Sequence, residues 1–310
     1  MAQKLVVVAG ATGTQGGAAI DALLAHGGYI VRGLTRNTSS AAAKALTDRG
    51  VEMVQASPMD KQSLIEAFKG AYAVFGVAVS FTKDDEAQMG RNLVDACVAD
   101  HVPLFVWSSL PSAEKVSRGK YHVRAMDEKA EVDEYIKTVG QPTVILWPGV
   151  FTENLLNHMD KCQLQPVSED GKKWEIRYPV VPAHVAQPTT YVTKDSGAVL
   201  AAIIDHWENE KWRERLTKEP ILQCSYVISG EDMCRTIEKV TGKEVTWAPY
   251  DNLPPPVKAL YSLAAEFQYD VSVPTPLLLE LGVKFHTFED YVRDKVAPHI
   301  EEVLSKVKAV

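Results

Sequence analysis

One run near the start of the chain limits the fold more than any other: Val6-Val7-Val8-Ala9-Gly10-Ala11-Thr12-Gly13-Thr14-Gln15-Gly16-Gly17, followed by apolar positions Ala18, Ile20, Ala22 and Leu23. A β-branched run that meets glycine and then turns into helical periodicity is a strand–turn–helix unit. Its glycines fall at G-x-x-G-x-x-G. Gly10 allows a tight exit from the strand, Gly13 lets backbone N–H groups approach a diphosphate, and Gly16 permits close packing of helix on strand. The phosphates then meet a helix N-terminus, where unpaired N–H groups and the helix dipole favour negative charge. Gly10, Thr12, Gly13, Thr14, Gln15 and Gly16 are the candidate diphosphate contacts.

The next segments repeat the unit. Strands are expected at Leu5–Ala9, Tyr29–Thr35, Val51–Ala56, Ala73–Val79, Leu104–Ser108 and Thr143–Trp147, and helices at Gln15–Ala25, Ser40–Asp48, Lys61–Phe68, Asp85–Ala99 and Val123–Thr138. This alternation predicts an α/β fold, a Rossmann-type doubly wound parallel sheet with its crevice at the carboxyl ends of the strands. Beyond Pro148-Gly149 the rhythm breaks into Pro- and aromatic-rich pieces, with helices at Asp195–His206, Gly230–Val240 and Phe288–Val307 and a Pro-rich break at Leu253–Val257. The expected organisation is a dinucleotide domain over residues 1–150 and a smaller mixed lobe over 151–310 that forms a pocket or partner surface, some elements returning to the sheet.

A chain that prefers NAD usually carries an acidic residue at the end of the second strand, to hold the ribose hydroxyls. Here Thr35-Arg36-Asn37 stands there. Arg36 pairs with a 2′-phosphate instead, so NADP(H) is the expected cofactor in preference to NAD(H). Strand ends add further rim candidates: Asn37 after the second strand, Met59 and Asp60 after the third, Val77 and Ala78 after the fourth, Ser108 after the fifth, and Pro148 and Phe151 after the sixth.

Composition excludes other classes. A net charge of −7 with no dense Lys/Arg window disfavours direct nucleic-acid binding. The apolar run before Gly10 is too short for a secretory or membrane segment, so a cytoplasmic protein, with the nucleus as a second compartment, is expected. Cys97, Cys162, Cys224 and Cys234 lack metal-ligand spacing, and no metal is expected.

The N-terminal half resembles the short-chain dehydrogenase/reductase superfamily, where a Tyr-x-x-x-Lys pair follows the fifth strand. In Tyr121-His122-Val123-Arg124-Ala125-Met126-Asp127-Glu128-Lys129 the lysine matches Lys129, but Ala125 replaces the tyrosine. Tyr121 and His122 are the nearest substitute proton donors. The one true Tyr-x-x-x-Lys, Tyr291 to Lys295, is expected to be a face of the terminal helix.

With Gly10–Gly17, Arg36, Ser108-Ser109, Lys129 without its tyrosine, Pro148-Gly149-Val150-Phe151-Thr152-Glu153-Asn154 and Asp195-Ser196-Gly197-Ala198, the chain resembles the NmrA-like family, an atypical branch of that superfamily. The resemblance implies NAD(P) binding in members that often lack turnover and act as cofactor sensors through protein partners. Isoflavone-reductase-like relatives instead use a lysine to reduce substrates. The sequence leans towards a sensor with a regulatory protein partner. The alternative is an NADPH-dependent reductase of a small apolar carbonyl or enone using Lys129, with Phe151, Trp174 and residues near Phe267 lining its pocket. A monomer or homodimer is expected in either case.

Overall fold

The computed structural model describes residues 3–80, 82–157, 162–267 and 272–308. Six of its strands are β1 (Lys4–Val8), β2 (Tyr29–Thr35), β3 (Glu52–Gln55), β4 (Ala73–Val77), β5 (Leu104–Ser108) and β6 (Thr143–Pro148). They lie in the order β3-β2-β1-β4-β5-β6, and a seventh strand, Ile221–Gln223, adds to β6. Every pairing in this sheet is parallel. A parallel sheet covered on both faces needs strands that are apolar throughout, as β1, β4 and β5 are. The strand order reverses between β1 and β4, which places the crevice above their carboxyl ends.

Helices α1 (Thr14–His26), α2 (Ala41–Asp48), α3 (Lys61–Phe68), α4 (Glu86–Ala99), α5 (Ala113–Ser117) and α6 (Arg124–Val139) make the connections. Successive strand residues feed opposite cores. Val6 and Val8 face α1 and a later helix, α7 (Gly197–His206), whereas Val7 faces α3, α4 and α6. Two glycines set the helix crossings. A Cβ on Gly197 would lie 2.1 Å from the Ala18 carbonyl oxygen, so α7 approaches α1 at backbone distance. A Cβ on Gly90 would lie 2.4 Å from Cγ2 of Val132, so the Val132 side chain of α6 packs into the space that Gly90 leaves on α4.

The remainder of the chain builds two small sheets. One runs β12-β10-β7, from β7 (Val150–Phe151), β10 (Ala186–Thr190) and β12 (Tyr226–Ser229); the other is β13-β9-β8, from β8 (Leu164–Pro166), β9 (Lys173–Pro179) and β13 (Glu244–Tyr250), with Ile221–Gln223 being β11. Their core gathers Trp174, Ile176, Tyr178, Tyr191 and Tyr291. The expected break at Leu253–Val257 is instead the start of a helix, Pro255–Glu266, whose first position is a proline. Proline suits that position because the first N–H of a helix needs no internal partner. This helix docks on α5 and α6 through Leu263, with Ala113, Val123 and Met126 beneath it. The C-terminal helical segment 288–308 is interrupted by a π-helical turn, Val192–Ser196 precedes α7 as another, and Tyr291 lies on the buried face of that C-terminal segment.

No helix among the described residues is long and apolar enough to cross a membrane.

Candidate functional site

The turn after β1 is a cradle of unpaired amides. Gly10 takes φ +65°, a conformation that glycine adopts without strain. Gly13 N–H closes the turn on the Gly10 carbonyl at 2.9 Å, and Gly17 N–H bonds the Gly13 carbonyl at 2.8 Å. Among the described residues no partner is present for the N–H groups of Thr12, Thr14, Gln15 and Gly16. No side chain caps α1 and no acid occupies its first turn, which leaves the positive end of the dipole uncompensated. A Cβ at Gly16 would fall 2.2 Å from the Gly10 carbonyl oxygen, so helix and turn touch backbone to backbone. These features fit a diphosphate.

At the end of β2 the Arg36 side chain is exposed, with neither an ion pair nor a hydrogen bond among the described residues. Asn37 next to it accepts the Ser39 N–H at 2.9 Å and so shapes the turn. Farther along the same edge Met59 is exposed, and the Asp60 carboxylate caps α3 by accepting the Ser63 N–H at 3.2 Å. Val77 lies beneath Gly10, its Cβ 3.9 Å from where a glycine Cβ would be.

On the other side of the cradle lies a cavity of about 470 Å³. Gln15, Ala78, Ser108, Lys129, Pro148 and Phe151, drawn from six separate elements or the turns that follow them, all border it. Gln15 is held in place because its Oε1 accepts the Ser108 hydroxyl at 2.8 Å. The far wall comes from Pro255–Glu266 and its C-cap, through Val257, Leu260, Leu263 and Phe267. The cavity is therefore mostly apolar, with a few polar groups among its lining.

Lys129 is the charged member of that wall and is only 5% exposed. Its Nζ donates to Ser80 Oγ at 2.9 Å and forms an ion pair with Glu86, itself 3% exposed. Ser80 in turn donates to Glu86 at 2.8 Å. Glu86 tolerates burial because it opens α4, where the helix dipole favours a carboxylate. The close crossing at Gly90 and Val132 is what sets Glu86, one turn earlier on α4, against Lys129 on α6. Burial pulls the Lys129 ammonium down from its ordinary 10.5 to about 7, with the Asp133 carboxylate opposing. Asp133, one turn on, accepts the Ser109 hydroxyl at 2.7 Å, and burial raises its carboxyl to about 6.

Two candidates are not brought to this site. Tyr121 donates its hydroxyl to Glu266 at 2.7 Å and packs edge-on against Phe267, which anchors the docked helix from outside. His122 is exposed beside Glu114. Ala125 lies on the buried face of α6 with no hydroxyl to offer. Trp174 is fully buried in the lobe core, its indole N–H spent on the Gly171 carbonyl, and does not border the cavity, whereas Phe151 and Phe267 do. Ser80, Glu86 and Gln187 escaped the sequence reading. Glu86 resembles any acidic first-turn residue, and only the α4–α6 crossing gives it a role.

The sequence profile of the NmrA-like family matches residues 2–309. An NmrA-like family domain-containing oxidoreductase, hkm9, from Aspergillus hancockii is 26% identical over 267 residues, covering 80% of this chain and 76% of that protein. The negative transcriptional regulator NmrA, solved in complex with NADP, superposes with a TM-score of 0.78 at 20% identity, covering 98% of both chains, and a form of it was solved with NAD. Triphenylmethane reductase from Citrobacter sp., complexed with NADP(H), gives a TM-score of 0.68 at 17% identity over 93% of this chain and 99% of that one. At such identities the superpositions speak for the fold.

Proposed function

The chain belongs to the NmrA-like family, and we propose that it is an NADPH-dependent reductase of a small, neutral, mostly apolar carbonyl or enone. One observation carries this reading: the apolar cavity of about 470 Å³ at the crevice is bordered by a buried lysine and lined, besides the cofactor-rim residues, by Leu222, Leu260, Leu263 and Phe267, which no nucleotide contact requires. The family relatives named as oxidoreductases support it.

Thr12, Thr14, Gln15 and Gly16 hold the diphosphate through backbone N–H groups, and the free guanidinium of Arg36 holds the 2′-phosphate, giving preference for NADP(H). When bound, the reduced nicotinamide supplies hydride. The protein's task is then to orient the acceptor and deliver a proton. Lys129, with a pKa near neutrality, carries that proton to the substrate oxygen, and Glu86 and Ser80 hold the ammonium in place. It takes over the role that a tyrosine at position 125 has in the wider superfamily.

Loss of NADPH absorbance with a panel of neutral quinones and enones tests the reading. Wild type is expected to turn over at least one member, and Lys129→Met to lose roughly 10²–10⁴ in kcat/KM, the usual contribution of one general acid. Saturable NADPH binding with no oxidation anywhere in the panel defeats it. That outcome returns weight to the second reading, a cofactor sensor acting through a protein partner, which the alanine at 125 favours.

A further inference from the structure

Three side-chain amides border the cavity with hydrogen-bonding capacity left over among the described residues: Gln15 at the cradle, where only Oε1 is engaged, and Gln187 and Asn154 on the lobe. Gln187, on β10, is 4% exposed. The fully buried Tyr178 donates its hydroxyl to Gln187 Oε1 at 3.0 Å, which fixes the amide, while Nε2 has no partner among the described residues. Asn154, at the turn after β7, also borders the cavity, and its side-chain amide makes no hydrogen bond among the described residues. A buried amide donor without a partner is costly, so a native protein that keeps one usually has something to receive it.

We propose that Gln187, assisted by Asn154, is a specificity subsite that receives a second oxygen acceptor of the substrate, a carbonyl remote from the one reduced. The proposal rests on the cavity being the substrate site, as above. The acceptor is neutral for an electrostatic reason. Lys129 is the one charged side chain among the described lining residues, and Glu86 already balances it. A carboxylate or phosphate brought to Gln187 would be buried without a counter-charge, which is far more costly than leaving the amide unpaired. A hydrocarbon there would leave the N–H orphaned. Lys129 comes from helix α6 and Gln187 from a small sheet of the lobe, and the cavity they share is otherwise lined by apolar side chains such as Phe151, Leu222, Leu260 and Leu263. The ligand class that matches is a neutral, apolar-bodied compound bearing two carbonyl oxygens.

The test compares menadione, a bicyclic dione, with tetralone, a bicyclic monoketone of similar size, binding to the protein saturated with oxidised NADP so that no turnover occurs. Wild type should bind the dione about tenfold more tightly. Gln187→Met should bring that ratio close to one with tetralone affinity retained. Because this variant orphans the Tyr178 hydroxyl, the double variant with Tyr178→Phe is measured beside it and should show the same ratio, while Tyr178→Phe alone keeps the wild-type ratio. A ratio unchanged by Gln187→Met, or failure of wild type to bind either compound, overturns the subsite. The parallel NADPH-oxidation assay keeps the two ideas separate: turnover with an unchanged ratio sinks the subsite alone, and a collapsed ratio without turnover sinks the reductase alone.

Discussion

Adjacent glycines in the cradle should respond in opposite ways to the same substitution. In Gly16→Ala the new methyl would lie 2.2 Å from the Gly10 carbonyl oxygen and 2.7 Å from its carbon, both backbone atoms that cannot rotate aside. Ordinary contact needs roughly 3.4 Å, so turn and helix must separate by about 1 Å. That separation carries the N–H groups of the first helical turn beyond hydrogen-bond range of a diphosphate, whose useful window is only about half an ångström wide. Losing two hydrogen bonds to a charged group, at about 1.5–3 kcal/mol each, weakens NADPH binding by roughly 10²–10⁴-fold. Overpacking should also cost about 1–3 kcal/mol of stability. In Gly17→Ala the methyl meets nothing within 4 Å, so binding should be unchanged and stability should rise by about 0.5–1 kcal/mol. NADPH fluorescence titration and urea unfolding of both variants decide it. The reasoning fails if Gly16→Ala binds within threefold of wild type, or if Gly17→Ala loses as much as its neighbour.

Arg36→Ala should lower NADPH affinity by roughly 10–100-fold and leave NADH affinity alone; an unchanged NADPH-to-NADH ratio would remove the guanidinium from the site. If protonated Lys129 is the donor, kcat/KM stays high below about pH 7 and falls above it, and Lys129→Met abolishes that limb; a flat wild-type profile from weakly acidic to alkaline pH contradicts the role. Asp133 binds its proton more tightly folded than unfolded, at about 6 against an ordinary 3.8, so its effect on stability becomes unfavourable as pH rises between those values. Asp133→Asn should therefore gain roughly 2 kcal/mol on wild type between pH 4 and 7 by urea unfolding, whereas a constant difference across that range rules out a strained carboxylate.

The first half of the chain was legible because its information is local. Strands buried on both faces read as continuous apolar runs, the helices between them keep their period, and β2, β5 and α3 fall on the expected residues. The cradle was legible for the same reason, since one short run contains strand, turn and helix start. The lobe was not. Its strands are as short as Val150–Phe151 and take their pairing from distant segments, β7 with β10 and β9 with β13, so no local period betrays them. Pro254-Pro255-Pro256 looked like a break and is a helix start, because proline is as compatible with a first turn as with a loop. Lys129 could be named from the resemblance to the superfamily segment that carries a lysine there, but Glu86 and Gln187 depend on a helix crossing and on a sheet in another layer. Tyr121 illustrates the converse, a residue near the site in sequence whose hydroxyl is tied elsewhere by Glu266.

The seventh strand of the main sheet carries a lesson for synthesis on the ribosome. β11 takes its place beside β6 only after more than seventy intervening residues have emerged, and α7, which covers the β1 side, lies within that stretch. Until then the nascent sheet keeps an open parallel edge at β6 and an uncovered face over Ala18 and Ala22, the kind of surface that recruits other chains. A fragment stopped near residue 150 should accordingly emerge sticky and dependent on chaperones, and the nucleotide cradle should become a dependable binder only once translation has passed residue 223.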